Sequence, residues 1–202
     1  MSEQIYFNQK EVNYINDSDF LLTKRKITNK IFNLLAKVQE STIPILQQYQ
    51  DTIPEEVLAI SGKISKGENY RSLPYLVLDC PRYFNKEDVF AIRTMFWWGN
   101  YCSITLHLSG RFLKKYKSQL INNITNLRAT GNLYICINKT PWEYHFDEDN
   151  YLLPSLLSEE EVQNLIADKK FLKISTRIDF DQMMLLDKIA VDFIKKVIKL
   201  LN

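Results

Sequence analysis

Apolar residues recur at three- and four-residue spacing in two long stretches of the chain, and this spacing predicts two amphipathic helices. The first helix begins at a capping residue, which is Asp17, Ser18 or Asp19, and it bends or ends at Pro44. Its lysine and arginine side chains point mostly to water, so it is expected to cover a core with one face. The second helix runs over residues 111–128.

Three further helices follow from local signals rather than from long periodicity. Pro54 and the two acids that follow it predict a helix over residues 54–60, because proline and acids both suit the first turn. A capping box predicts a helix over residues 158–166. The last helix, over residues 181–201, has acids at its start and lysines near its end, which suits the helix dipole.

Strands are predicted where apolar, β-branched and aromatic residues alternate or cluster between turn signals. In the last of them, Lys173, Ser175 and Arg177 are expected to face water. Residues 61–72 are expected to form a polar loop before the first strand. The predicted strands span residues 73–79, 88–98, 101–109, 133–138 and 171–180.

The order of these elements predicts an α+β fold. We expect a single antiparallel or mixed sheet of about five strands, covered on one face by helices from the N- and C-terminal parts of the chain. No repeat, low-complexity tract or Pro/Gly/Ser-rich linker interrupts the sequence, so residues 1–202 are expected to form a single domain. Residues 1–16 are polar and weakly patterned, and they are expected to form a loosely attached arm.

The two central strands are expected to form a hairpin around residues 99–100, because glycine and asparagine tolerate the positive φ angles of a two-residue turn. In that register Thr94 lies opposite Thr105. Arg93 then lies in an otherwise apolar face. It needs a carboxylate, a ligand anion or an escape route for its head group, because an unpaired buried charge is very costly.

The other face of this hairpin combines aromatic rings with a few polar groups, which is the usual composition of a small-molecule pocket. The alternative is a face that is exposed to solvent or covered by a helix, with hydroxyls that bond only to backbone. On the first interpretation, the residues expected to contact a ligand are Trp98, Tyr101, Ser103, Thr105 and His107, together with Arg93.

A second candidate feature is the transition from strand to helix at Ser109 and Gly110. The free N–H groups and the positive dipole end of the helix there can bind an anion. Arg111, Lys114 and Lys115 lie in the first turns of this helix, where cations are unfavourable. A bound phosphate or carboxylate would explain their position, so these residues are added to the candidate ligand site.

Composition and charge restrict the functional class. The 26 basic and 24 acidic residues give a net charge of +2, which is too balanced for a nucleic-acid binder held by phosphate contacts alone. Cys80, Cys102 and Cys136 are widely spaced in apolar runs, which favours free buried thiols over disulfides or zinc. No signal peptide or membrane span is visible. We expect a cytoplasmic, bacterial protein that contacts neither nucleic acid nor membrane.

Few residues suit metal or nucleophilic chemistry. His145 and Asp147 form an H-x-D motif, which together with His107 would supply a two-histidine, one-carboxylate iron site. The oxygenases with this motif take their second histidine from later in the chain, and none follows here, so we expect no metal. The sequence contains neither a G-x-S-x-G elbow nor a complete P-loop, and we expect no cofactor.

Three functions stay open at this point. The first is a non-catalytic protein that binds a small anionic or aromatic ligand, or a protein partner, over the hairpin face and the helix start at Gly110. The second is an enzyme in which His107 is a general acid/base and Arg93 or Arg111 holds a substrate anion. The third is a structural protein that self-associates as a homo-oligomer through the aromatic sheet face.

Overall fold

The computed structural model describes residues 6–202, and this part of the chain forms one antiparallel sheet of seven strands together with seven helices. The α+β class is therefore confirmed, and the sheet is antiparallel throughout. The helices are α1 (Gln9–Asn16), α2 (Ser18–Gln48), α3 (Glu55–Leu58), α4 (Gly110–Asn122), α5 (Ile124–Ala129), α6 (Glu159–Asp168) and α7 (Leu186–Lys199).

The seven strands form the sheet in the order β1-β2-β3-β4-β7-β5-β6, so the last strand along the chain pairs with β4 in the middle. Antiparallel pairing of β4 with β7 places residues 101–109 between two long partners. The strands are β1 (Lys63–Tyr70), β2 (Leu73–Phe84), β3 (Val89–Trp97), β4 (Tyr101–Ser109), β5 (Tyr134–Cys136), β6 (Tyr151–Leu152) and β7 (Phe171–Ile178).

The predicted count of about five strands was too low, because both edge strands lack a strong apolar signal. Strand β1 was expected to be a polar loop, but its residues pair with β2 from Lys63 onwards. None of its side chains is buried, so only the hydrogen bonds to β2 identify it as a strand. Strand β6 contains only two residues, too few to show a period.

Helices α2, α4 and α7 cover one face of the sheet. The buried stripe of α2 begins at Ile31 and ends at Leu46, and α2 packs along α7 and β2. The helix does not end at Pro44 but continues to Gln48, since burial of Leu46 beyond the proline favours the longer helix. This face of the sheet carries the side chain of Phe90 and the apolar side chains of alternate residues in the neighbouring strands.

Two other predicted helices are divided by local hydrogen bonding. The helix predicted over residues 111–128 is broken at Asn123, whose side-chain amide donates to the carbonyl of Gln119 at 3.0 Å. A 3-10 helix (Phe180–Leu185) precedes α7, so the last α-helix begins at Leu186, later than predicted. The described part of the chain contains no helix both long and apolar enough to cross a membrane.

The N-terminal region is more regular than predicted. Residues 1–5 of the expected arm lie outside the described residues, but residues 9–16 form α1, which carries a capping box from Asn8 and Glu11. Helix α1 contains no buried residue. Residues 18–30 of α2 likewise contain none, so the helix extends well beyond the core.

The central hairpin lies where the sequence predicted it, but its register was wrong by one residue. Trp97 pairs with Tyr101, and Arg93 pairs with Thr105. The turn therefore contains three residues, with Gly99 at a φ of 72°, which favours glycine. The amide of Trp98 donates to the carbonyl of Pro74 in β2, at 3.1 Å, which holds this residue outside the β3–β4 pairing.

This shift regroups the side chains of the hairpin. Tyr101, Ser103, Thr105 and His107 share a face with Arg93, and the predicted grouping with Thr94 is wrong. Thr94 lies instead on the helix-covered face, among the apolar side chains. Arg93 thus has polar cross-strand neighbours on both sides, Asp79 in β2 and Thr105 in β4.

Candidate functional site

Residues 139–150, which we call the strap, connect β5 to β6 and lie over the sheet face opposite the helices. The ring of Tyr144 packs into an aromatic cluster on this face, and the adjacent His145 is also buried. The expectation that Lys173 and Ser175 face water is wrong, since both are fully buried. The alternation of apolar and polar residues correctly predicted strand β7, but the strap covers the face that was expected to contact water.

Two tyrosine hydroxyls from the sheet bind the backbone of the strap. The Tyr70 hydroxyl accepts hydrogen bonds from the N–H groups of Tyr144 (2.7 Å) and His145 (3.0 Å). The Tyr101 hydroxyl accepts one from the N–H of Phe146 at 3.1 Å. Burial raises the pKa of Tyr101 to about 12, so its hydroxyl keeps its proton. The strap is therefore fixed to the sheet at consecutive residues.

Arg93 forms the ion pair that its position in the sequence required. Its Nε donates to Asp79 Oδ1 at 2.8 Å, and a second guanidinium nitrogen donates to Oδ2 at 2.9 Å. The remaining nitrogen donates to the Tyr144 hydroxyl at 2.8 Å. Asp79 is the cross-strand neighbour of Arg93 in β2, so a protein carboxylate occupies the place proposed for a ligand anion.

Lys173 is the second cation under the strap, and it has no carboxylate partner among residues 6–202. Its ammonium group donates to the carbonyl of Pro141 at 2.9 Å and to that of Glu143. It also lies 4.2 Å from the ring centroid of Tyr144. Burial lowers the pKa of Lys173 to about 8.

His107 is buried beside Lys173, its cross-strand neighbour. Burial, with smaller effects from the charges of Lys173 and Arg93, lowers the pKa of His107 to about 3, so the ring is neutral at pH 7. The rings of Trp142 and Phe171 lie against it, and its Nε2 has no hydrogen-bond partner in the described structure. A catalytic role for His107 stays a prediction.

The structure thus brings Arg93, Tyr101, Ser103, Thr105 and His107 onto one face, as the candidate site requires. They are covered by the strap rather than open to solvent. Thr105 exchanges a hydrogen bond with Ser175 of β7 at 2.7 Å, and Ser103 is buried. Their role as ligand contacts stays a prediction.

Trp98 lies apart from this group, in the turn of the hairpin. It lines two neighbouring cavities of about 350 and 370 Å³ between the turn and the N-terminal half of α2. Both cavities are also lined by Lys24 and Pro74.

The helix start at Gly110 binds one of the protein's own carboxylates. Asp88 Oδ1 accepts a hydrogen bond from the Arg111 N–H at 2.8 Å, and this bond is the main reason why the pKa of Asp88 lies below its usual range. Gly110 has a φ of 56°, and a Cβ there would lie 2.1 Å from the Asp88 carboxylate. The Arg111 side chain pairs with Asp88 and Glu56, and Lys115 lies over the ring of Tyr116.

A cavity of about 550 Å³, which we call the lysine cavity, opens beside this helix start. Helix α4 contributes Lys114 and Lys117, and the connection between α6 and β7 contributes Lys169 and Lys170. Of the ten predicted site residues, only Gly110 and Lys114 line it. The sequence offered one further signal, because residues three apart on a helix share a face, which links Lys114 to Lys117. The approach of Lys169 and Lys170 depends on the tertiary structure.

Two of these ammonium groups are held in place by backbone carbonyls. Lys169 Nζ donates to Asn138 O at 2.8 Å, and Lys117 Nζ donates to Ala167 O. Lys169 Nζ also lies 5.0 Å from the ring centroid of Phe171, and burial lowers its pKa. None of the lysines lining the cavity forms an ion pair within the described chain.

His145 has carboxylates at both ring nitrogens: Glu143 Oε2 lies 3.2 Å from Nδ1, and Asp149 Oδ1 lies 3.0 Å from Nε2. Ligand atoms of His145, Asp147 and Asp149 lie within 4.8 Å of one another, a spacing that a metal ion could use. Arg71 already binds Asp147 at 2.8 Å. The structure brings His145 to these acids, whereas His107 contacts Trp142 and Phe171.

Comparison of the chain with protein-family models, with curated protein sequences and with solved structures found no match. The geometry of the site therefore has to carry the functional argument alone.

Proposed function

We propose that the protein binds a small polyanion, of the class that carries two or more phosphate groups, in the lysine cavity. One observation carries the proposal: four lysines from two separate elements line one cavity, and none of them forms an ion pair within residues 6–202. Uncompensated cations that converge on a cavity favour an anionic ligand.

The local charge supports a ligand with more than one negative group. Glu87 lines the cavity and Asp88 lies near it, but Asp88 is engaged by the Arg111 amide and side chain. The four ammonium groups therefore outnumber the nearby carboxylates. A ligand with a single charge would leave most of this excess uncompensated, whereas a diphosphate or triphosphate group would balance it.

The cavity also has a suitable size and partial preorganisation. Its volume of about 550 Å³ lies within the range of roughly 300–1,000 Å³ found for small-molecule sites. The carbonyl partners of Lys117 and Lys169 hold two ammonium groups before any ligand arrives. Binding therefore costs less side-chain entropy than binding to fully mobile lysines.

Isothermal titration calorimetry with inorganic tripolyphosphate, at low and at physiological ionic strength, tests the proposal. We expect wild-type protein to bind the probe with a 1:1 stoichiometry and an affinity that falls with salt. The double variant Lys114→Gln/Lys169→Gln should bind roughly a hundredfold more weakly, because each lost charge-assisted bond is worth about tenfold in affinity.

The matched control is Lys195→Gln/Lys199→Gln, which removes the same charge from exposed positions of α7. This control should bind tripolyphosphate within about twofold of wild type. An equal loss of affinity in both double variants would indicate non-specific attraction to the protein's charge. That result, or an absence of binding by the wild-type protein, would refute the proposed site.

A further inference from the structure

The first half of α2 has an apolar surface that the other described residues, 6–17 and 31–202, leave largely exposed. None of residues 18–30 is buried, although the buried stripe of the same helix begins at Ile31. The exposed fractions of Phe20, Leu21 and Leu22 are 46%, 50% and 55%. Neighbouring apolar side chains exposed to this extent are typical of interaction surfaces.

A helix that extends so far from its core gains little from tertiary packing. Isolated helices shorter than about 12–15 residues are marginal in water, and most helical stability in proteins comes from a packed face. Helix α1, which precedes α2 directly, also buries no residue. Within residues 6–202, the helical region 9–30 therefore has little of the packing that would stabilise it, and a second helix would provide more.

The order of charges along this region indicates which helix fits. Residues 11–19 contain the acids Glu11, Asp17 and Asp19 and no base. Residues 20–39 contain five lysines and arginines and no acid. The acidic part precedes the basic part. The region is therefore complementary in charge to a second copy of itself that runs in the opposite direction.

We propose that a second copy of the chain packs antiparallel against the first half of α2. A two-fold axis between Leu22 and Thr23 brings the acidic part of each copy to the basic part of the other, as an isologous interface requires. Asp19 and Lys26 are both exposed and are seven residues apart, so they project from the same side of the helix, two turns from each other. Each Asp19 then lies beside Lys26 of the other copy.

This charge order favours a second copy over other partners. A surface that attracted only an anionic membrane or an acidic protein would need the bases alone, and the acids in 11–19 would oppose that contact. The surface also differs from the aromatic sheet face first considered for self-association, because the strap covers that face.

Sedimentation velocity over the micromolar range tests the proposal through two charge reversals, Asp19→Lys and Lys26→Glu. Wild-type protein should form dimers. Each variant alone should dimerise at least about tenfold more weakly, because like charges then meet twice across the axis. An equimolar mixture of the two variants should restore the dimer as a heterodimer, since both contacts then join opposite charges.

Lys195→Glu, a charge reversal at an exposed position on α7, serves as the control and should dimerise like wild type. Far-UV circular dichroism of every variant verifies that the helices are retained. A wild-type protein that stays monomeric throughout the range overturns the proposal. So does a mixture of the two variants that sediments as the separate variants do.

Discussion

Two groups of cations lie near residues 137–150, which connect β5 to β6, and they differ mainly in their access to solvent. Lys173 donates to the carbonyls of Pro141 and Glu143, whereas Lys169 donates to the carbonyl of Asn138 in the same segment. Lys173 is fully buried. Lys169, only four residues earlier in the sequence, lines an open cavity.

This difference separates a structural role from the binding role that we propose. Under the strap, Arg93 is paired with Asp79, and the aromatic and carbonyl groups around Lys173 replace water. Asp79 compensates the charge of Arg93, whereas the charge of Lys173 is only partly compensated, as its lowered pKa shows. Both side chains donate hydrogen bonds to the strap. The lysines of the cavity keep their charge accessible, as the proposed binding of an external anion requires.

The largest expected effect is on the closed side. Asp79→Ala leaves the Arg93 guanidinium buried without its carboxylate, and we expect the free energy of unfolding to fall by about 3–5 kcal/mol. Urea denaturation measures this change. A loss below 1 kcal/mol would show that water or the Tyr144 hydroxyl compensates the charge.

The matched control is the double variant Asp79→Leu/Arg93→Met, which replaces both charged side chains with apolar ones. It should recover most of the lost stability, because a buried ion pair is often replaceable by well-packed apolar groups. Tripolyphosphate affinity should be unchanged in this double variant, since neither residue lines the lysine cavity.

The next largest effect is a pH dependence of the free energy of unfolding, caused by the titration of Lys173. Its folded-state pKa of about 8 lies below the ordinary value of 10.5, so between these values the unfolded chain binds more protons. Stability contributed by the neutral amine is therefore gained as pH rises through this window. It is absent below about pH 8.

We expect the stability of the wild-type protein relative to Lys173→Met to rise by an amount of the order of 3 kcal/mol across this window. Urea denaturation of both proteins at several pH values from neutral to alkaline measures the difference. Taking the difference removes the contribution of tyrosines that titrate in both proteins. A flat difference would contradict burial of the ammonium group.

The smallest effect compares a glycine whose conformation and surroundings exclude a side chain with one that has free space around it. At position 110 the backbone φ is 56°, which strains an alanine, and the added Cβ of Gly110→Ala would lie 2.1 Å from the Asp88 carboxylate. We expect a loss of about 1–3 kcal/mol, together with weaker tripolyphosphate binding. Gly131→Ala is the control, since a Cβ at that position meets no atom within 4 Å. It should change stability by less than about 1 kcal/mol, as thermal denaturation can show.

Part of the site could be inferred from single positions in the sequence. Arg93 was expected to need a carboxylate or a ligand anion because of where it lies in its strand, and Asp79 meets that need. The identity of the partner could not be inferred, because it depends on the register between β2 and β3. The group of Tyr101, Thr105 and His107 shares one face for a local reason, since alternate residues of a strand project to the same side.

The misjudged features have non-local causes. Trp98 was assigned to the hairpin face, but a hydrogen bond to Pro74 in β2 holds it in a three-residue turn and shifts the register. Lys173 was expected in water because its strand alternates. The alternation of apolar and polar residues shows that the strand has two different faces, but it does not show what covers either face.

The sequence by itself determined the α+β class, the positions of the main helices and of four long strands, and the location of the central hairpin. These features depend on periodicity, capping and turn residues, which act over a few positions. Only the tertiary structure decided the register of the hairpin, the burial of Lys173 beneath the strap, and the meeting of Lys114 and Lys117 with Lys169 and Lys170. These contacts join residues far apart in the chain, and their free energy depends on packing that no local pattern encodes.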